Sequence, residues 1–312
     1  MKMVAFSRTS VNCLCLAFLL VGSLFSKLSK AEDWPQFRGP QMTGISSETG
    51  LKSEGTLDMV WKAEVGLGYS SPVIGGGKVI VPGHDGENTD TLFCFDEKTG
   101  AEIWKHVYPQ PLGDRSYQGG TTGTATIDGN YVYFIAREGE LFCLQSSDGK
   151  VVWQKHMVED FEYTKPDWGF TGAPLVQGER LFINAGKSGL ALNKSDGSVI
   201  WKSENDVTGY STPHPFQRDG KDYLIFTNKR GYVCVDPLDG KEVWNERWMT
   251  RQGVNAANPI ISDDLIFIST GYGKGAILLQ WAGNEAPVPL WKSRDMKTKM
   301  NACLLIDGYL YG

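Results

Sequence analysis

After residue 56 the chain alternates short apolar runs with polar turns, and no stretch sustains a 3.6-residue apolar period. One unit stands out. Thr91–Phe95 is an apolar run, Asp96–Gly100 a polar turn, and a second run ends at Trp104. Within it a small residue, Cys94, lies ten positions before the Trp, and Gly100 lies four before it. The same spacing returns without gaps at Cys143–Trp153 with Gly149, Ala191–Trp201 with Gly197, and Cys234–Trp244 with Gly240. A weaker copy ends at Trp291, its turn expanded around Gly283, and Trp61 reads as the tail of a copy without a front half. The tryptophans at 61, 104, 153, 201, 244 and 291 are spaced by 43, 49, 48, 43 and 47 residues.

A second hairpin precedes each copy, at 68–83, 122–136, 171–185, 211–227 and 255–270. Each period of roughly 45 residues therefore carries about four short strands, the content of a β-propeller blade. The pattern predicts an all-β chain with almost no helix. The glycine of each unit supplies the positive φ that a tight hairpin needs. The Trp is too large for one sheet and is expected to wedge between neighbouring blades. It would bury ~150–250 Å² there, and its loss would cost ~3–5 kcal/mol. The small residue is expected to leave room for that neighbour. All of these positions are read as structural, because repetition favours packing over chemistry.

The [Ala/Cys]-x-x-x-x-[Thr/Asp]-Gly-x-x-x-Trp unit resembles the tryptophan-docking repeat of the PQQ-like (pyrroloquinoline-quinone type) β-propeller family. The resemblance covers roughly residues 57–312, and the leader Trp34–Gly44 also resembles the N-terminal segment of secreted bacterial members. It implies seven or eight four-stranded blades in a complete ring. The chain supplies an outer strand at 57–65, five repeats and an inner hairpin from Met300, and it stops in mid-blade at Tyr309–Gly312. A C-terminally incomplete propeller is therefore expected over a six-bladed ring. Residues 32–56, rich in Pro, Gly and Ser, are expected to form an extended, polyproline-like arm on the domain surface.

Residues 1–31 combine Lys2 and Arg8, an apolar run over 11–25 and a Ser29-Lys30-Ala31 cleavage site, the pattern of a signal peptide. An extracytoplasmic location, periplasmic or secreted, is expected. Its removal takes four basic residues and no acid from 31 basic and 36 acidic ones, moving the formal charge from −5 to −9. An acidic domain without a basic stripe argues against nucleic acid and anionic lipid as partners. Cys94, Cys143 and Cys234 share their slot with Ala191, so they are read as small hydrophobes and not as disulfide partners.

The loops between each Trp strand and the next inner strand should converge on one mouth of the channel. They carry Tyr69, Asp114, Arg115, Tyr117, Asp167, Trp168, Phe170, Tyr210, Arg251 and Asn255. Gly-[Tyr/Phe]-[Ser/Thr] recurs there at Gly68, Gly169 and Gly209. An aromatic ring with nearby arginines suits an extended peptide or a flat ligand, and packing of the inner strands is the competing reading. Asp114, Arg115, Tyr117, Trp168, Tyr210, Arg251 and Asn255 are the candidate ligand- or partner-binding residues. No catalytic residue, metal ligand or cofactor is predicted from the residues themselves. The loop Asp85–Asp90 departs from EF-hand spacing. Gly271–Gly275 lacks the Ser or Thr of a phosphate loop.

The resemblance implies two functional classes. One is the PQQ-dependent quinoprotein alcohol or sugar dehydrogenases, which hold PQQ and Ca²⁺ in the channel. The other is non-catalytic BamB-type scaffolds that bind protein. No Glu/Asn/Asp set is in register with the first class and no vicinal cysteine pair is present, so the residues favour a scaffold.

Overall fold

Polar turns of a few residues leave each apolar run beside the next, so consecutive strands pair antiparallel. The computed structural model describes residues 31–50, 54–113, 116–283 and 285–312. Blade 1 comprises β1 (Val73–Gly75), β2 (Lys78–His84), β3 (Thr89–Asp96) and β4 (Glu102–Pro109). Blade 2 comprises β5 (Thr126–Asp128), β6 (Tyr131–Ile135), β7 (Glu140–Gln145) and β8 (Val151–His156). Blade 3 is β9 (Leu175–Gln177), β10 (Arg180–Ile183), β11 (Leu190–Asn193) and β12 (Val199–Lys202). Blade 4 is β13 (His214–Arg218), β14 (Lys221–Asn228), β15 (Gly231–Val235) and β16 (Glu242–Arg247). Blade 5 is β17 (Ile260–Ser262), β18 (Leu265–Thr270), β19 (Gly275–Gln280) and β20 (Val288–Ser293). A two-stranded sheet, β21 (Leu304–Ile306) with β22 (Tyr309–Tyr311), follows. Strand order within each blade is sequential, and no helix occurs among the described residues. This is the expected β-propeller.

The core lies between blades. Ile80, Leu92, Cys94 and Trp104 of blade 1 pack against Val132, Phe134, Phe142 and Leu144 of blade 2. Mixed clusters of the same kind join blades 2 and 3, 3 and 4, and 4 and 5.

The recurring unit explains this packing. The indole Nε1–H of four of the six tryptophans donates to a backbone carbonyl in the following blade: Trp61 to Glu97 (2.9 Å), Trp104 to Ser146 (2.9 Å), Trp153 to Lys194 (3.0 Å) and Trp201 to Pro237 (3.0 Å), whereas that of Trp244 has no partner among the described residues. Each acceptor lies three residues before the unit's glycine. The ring then lies over that glycine. A Cβ added at Gly100, Gly149, Gly197 or Gly240 would sit 2.6, 2.6, 3.0 or 2.6 Å from the indole of the preceding blade. These glycines have φ of 69–72°. They serve the turn and the neighbour together.

The ladder adds a feature not predicted from the pattern. Its register shifts at the same place in all five blades, after Cys94, Cys143, Ala191, Cys234 and Leu278. The residue before each Trp is the unpaired extra one: Ile103, Val152, Ile200, Val243 and Leu290. All five are solvent-exposed, at 38–49%. A bulge bends the strand and increases its twist, which turns the next residue, Trp, toward the adjacent blade. The fixed three-residue spacing between Gly and Trp is thus a bulge requirement.

Three expectations need correction. The small residues Cys94, Cys143, Ala191 and Cys234 pair across the ladder with the Trp of their own blade. Room for the neighbour's Trp is made by the glycine. Residues 57–65 form no strand among the described residues, and Leu57, Met59 and Val60 are 97, 78 and 82% exposed. A strand requires a partner ladder, and none lies beside this segment, although Trp61 is docked.

The third correction concerns the arm. Between Gln36 and Gly44 it forms consecutive turns, with amides of Gly39, Met42 and Gly44 donating to Gln36, Gly39 and Arg38 carbonyls. It crosses the innermost strands instead of lying on the outside. Trp34 exchanges two backbone bonds with Ile74 of β1, and the Ile127 amide of β5 donates to the Pro35 carbonyl. Met42 is buried with Leu175 of β9 and with Phe182 and Leu224. Arg38 donates to the Cys303 carbonyl at 3.0 Å. The apolar Trp34, Phe37 and Met42 give this polar segment its anchors, and the inner strands end in unpaired backbone groups that it satisfies.

Candidate functional site

Each inner strand begins at the same end of the channel, and the arm crosses it a few residues further along. Between these levels is a cavity of about 770 Å³. Blade 1 contributes Tyr69 and Ser71, blade 2 Tyr117, Thr122 and Thr124, blade 3 Trp168 and Thr171, and blade 4 Tyr210 and Thr212. Gln252, Val254 and Tyr272 come from blade 5, Lys299 to Asn301 from the segment before β21, and Phe37 from the arm. Hydroxyl-bearing and aromatic side chains dominate. Lys299 is the one charged side chain among the described residues of the lining.

Glycines let the mouth loops approach the neighbouring backbone. A Cβ at Gly68 would lie 2.2 Å from Thr121 Oγ1, and one at Gly209 would lie 2.8 Å from the Asn255 carbonyl oxygen. Tyr69 and Tyr210, which follow these glycines, are thereby presented to the cavity. Their amides donate to the Thr121 and Asn255 carbonyls of the next blade, at 2.8 and 2.9 Å. The aromatics form two edge-to-face pairs, Tyr69–Tyr117 at 5.6 Å and Trp168–Tyr210 at 5.9 Å. The third member of the recurring motif behaves differently. Phe170 is buried in the core between blades 2 and 3. The motif therefore serves both readings, lining at two positions and packing at one.

Of the predicted binding residues, Tyr117, Trp168 and Tyr210 meet in this cavity. Asp114 and Arg115 lie outside the described residues. Arg251 is exposed on the adjacent turn and does not line the cavity. Asn255 is fully buried, and its Nδ2 donates to the Asn228 carbonyl at 2.8 Å. It pins blade 5 to blade 4, a role its loop position did not reveal. Sequence reasoning missed Phe37, Tyr272, Lys299 and the recurring threonines, which line the site from the arm and the inner strands.

Burial governs the electrostatics here. It pushes the Tyr210 hydroxyl up to about 12 and raises Tyr117 above its ordinary value. Tyr117 OH and Thr122 Oγ1 have no hydrogen-bond partner among the described residues. Behind Tyr117, between blades 1 and 2, lies a buried polar cluster. Tyr108 OH donates to Asp90 Oδ2 at 3.3 Å, and His84 Nε2 meets the Gln110 carbonyl at 3.0 Å. Burial raises the Asp90 carboxyl to about 6, against the opposing influence of His84.

The four cysteines of the described residues are free and buried. Burial raises the Cys94 thiol to about 12, so it is not a nucleophile at neutral pH. No cluster of three or more His, Cys, Asp or Glu suited to a metal occurs among the described residues. No helix among them is long and apolar enough to cross a membrane.

Comparison with known proteins accords with this architecture. The family model described as outer membrane protein assembly factor BamB matches residues 88–312. The chain belongs to this family. The BamB of Yersinia pestis is 25% identical over 217 residues, covering 66% of this chain and 48% of that protein. The quinoprotein alcohol dehydrogenase PedH of Pseudomonas putida is 22% identical over 217 residues, covering 62% and 35%. The quinohemoprotein alcohol dehydrogenase of Comamonas testosteroni has a similar fold, with a TM-score of 0.51 and 19% identity, over 80% of this chain and 46% of that one. The chain thus spans about half or less of the length of these relatives. BamB relatives and quinoprotein dehydrogenases share the blades, so the blades do not separate the two classes.

Proposed function

We propose that this BamB-family propeller is an extracytoplasmic, non-catalytic scaffold that binds a protein segment or a small ligand at its channel mouth. One observation carries the reading. The cavity is walled by two aromatic pairs and by hydroxyls, and its described lining contains no carboxylate. Such a surface provides flat apolar contact with a few orienting hydrogen bonds.

A calcium-held quinone fits these residues poorly. Ca²⁺ requires six to eight oxygen ligands, normally including Asp or Glu. The described lining offers side-chain oxygens only from hydroxyls and from the amides of Gln252 and Asn301. It also supplies no carboxylate to act as a base. These residues support no reaction step through PQQ.

Two experiments test the reading. Full-length protein incubated with PQQ and CaCl₂ should show no dye-linked oxidation of ethanol or glucose, and turnover would overturn the non-catalytic assignment. A photo-crosslinking amino acid at Trp168 should give discrete adducts in cells, whereas the same probe at Val199 on the outer rim should not. Equal labelling from both positions would remove the channel mouth as the binding surface. N-terminal sequencing of exported protein is expected to begin at Glu32.

A further inference from the structure

The turn that joins β18 to β19, Gly271–Lys274, faces two ways. Tyr272 lines the channel-mouth cavity, while Lys274 lines a separate cleft of about 380 Å³ at the rim between blades 4 and 5. That cleft is bounded by Trp248, Gly273, Lys274, Lys292, Ser293 and Arg294.

Its cations are placed by the fold. Trp248 is buried, and its Nε1–H donates to Thr270 Oγ1 at 3.0 Å, so the indole is fixed. Lys274 Nζ lies 4.4 Å and Lys292 Nζ 5.8 Å from the centre of that ring. Gly275 permits the approach of the neighbouring strand, since a Cβ there would lie 2.1 Å from the Ser293 carbonyl oxygen. Lys292 lies in β20 and Arg294 follows the end of that strand, and both line the cleft. Three cations converge on one cleft.

No acid among the described residues lies within salt-bridge distance of the three, although both lysines act electrostatically on Glu246. Two acids lie nearby. Glu246 is half-buried, and burial raises its carboxyl while Lys292 and Lys274 lower it. Asp295 accepts from Ser293 Oγ at 2.7 Å. Like charges gathered over one aromatic face repel one another, and an anion between them relieves that repulsion.

We propose that the rim cleft formed by Lys274, Lys292 and Arg294 over Trp248 binds a phosphate group, free or carried on a lipid headgroup. The ammonium groups provide point charges and the guanidinium a two-pronged donor, the combination that recognises phosphate oxygens. The cleft is separate from the aromatic cavity, although the turn Gly271–Lys274 borders both.

The test uses the full chain in chloride buffer. Inorganic phosphate is titrated by calorimetry, and co-sedimentation is measured with phosphatidylglycerol and with phosphatidylcholine vesicles. Saturable binding of phosphate, or of phosphatidylglycerol but not phosphatidylcholine vesicles, is expected. The triple variant K274Q/K292Q/R294Q should weaken it by about tenfold or more. K297Q, which alters a cation outside the cleft, should bind as the unaltered protein does. An unchanged melting temperature would show the triple variant folded, and K274R/K292R should retain binding if that variant does not fold. Vesicle binding without phosphate binding would assign the headgroup as the source, and the reverse would assign the free ion. Binding of neither probe, or binding undiminished in the folded triple variant, would overturn the proposal.

Discussion

Gly149→Ala tests the docking of one blade on the next. Gly149 has φ +70°, and an added methyl would lie 2.6 Å from Cε3 of Trp104. Gly178, at the β9–β10 turn, has φ +57° and nothing within 4 Å of an added Cβ. Both substitutions impose the same backbone strain, about 1–2 kcal/mol for a left-handed residue. Both also recover about 0.4–1 kcal/mol by restricting the unfolded chain. Only Gly149→Ala must displace an indole, an overpacking cost of about 1–3 kcal/mol. That displacement also breaks the bond from Trp104 to the Ser146 carbonyl and leaves buried polar groups unpaired, about 1–3 kcal/mol more. Gly149→Ala should therefore cost about 3–5 kcal/mol and Gly178→Ala about 1 kcal/mol. Urea unfolding followed by far-ultraviolet circular dichroism reads the difference as a shift of Cm at unchanged slope. Equal shifts for the two variants would refute the docking role and leave the glycine with a turn function alone.

Trp153→Ala should cost about 3–5 kcal/mol in the same assay, because it removes a buried, bonded indole. Trp291→Ala should cost about 1 kcal/mol, since that ring is 43% exposed; similar losses would show that docking does not set the value. Asp90 predicts a pH dependence. Its folded-state pKa of about 6 exceeds the ordinary 3.8, so the folded protein binds the proton more tightly. The penalty is absent below the ordinary value, grows as pH rises through about 6 and is full above it, reaching about 2–3 kcal/mol. Asp90→Asn should stabilise the protein at pH 7.5 but not at pH 4, and an equal effect at both would show that the carboxyl is not titrating. Arg38→Ala removes bonds to the Met42, Thr43 and Cys303 carbonyls. Cleavage of the arm near Gly44 by a protease should accelerate several-fold in this variant, and an unchanged rate would show that Phe37 and Met42 hold it unaided.

The blades were legible in the sequence because four units repeat one spacing without a gap, and repetition separates structure from chance. The bulge before each Trp was not, since Ile103, Val152, Ile200, Val243 and Leu290 look like ordinary core positions until the ladder shows them skipped. The arm misled because Pro and Gly density reads as an extended surface segment, whereas Trp34, Phe37 and Met42 decide its path by burial. At the mouth, Tyr117, Trp168 and Tyr210 were found from loop position. Asn255 was misjudged because an amide in a loop looks identical whether it faces a ligand or a neighbouring carbonyl. Lys299 and Phe37 reach the cavity from segments far apart in the chain, and no local pattern announces such a convergence.

The arm that floors the channel has a bearing on synthesis and refolding. Its bond from Arg38 to Cys303 spans 265 residues. A nascent chain makes the arm well before this anchor, so Trp34, Phe37 and Met42 stay without their full set of partners while the intervening blades are made. Contacts of such separation slow folding and prolong the exposure of apolar groups. Tags or fusions placed directly before Trp34 would load the segment that has the longest wait.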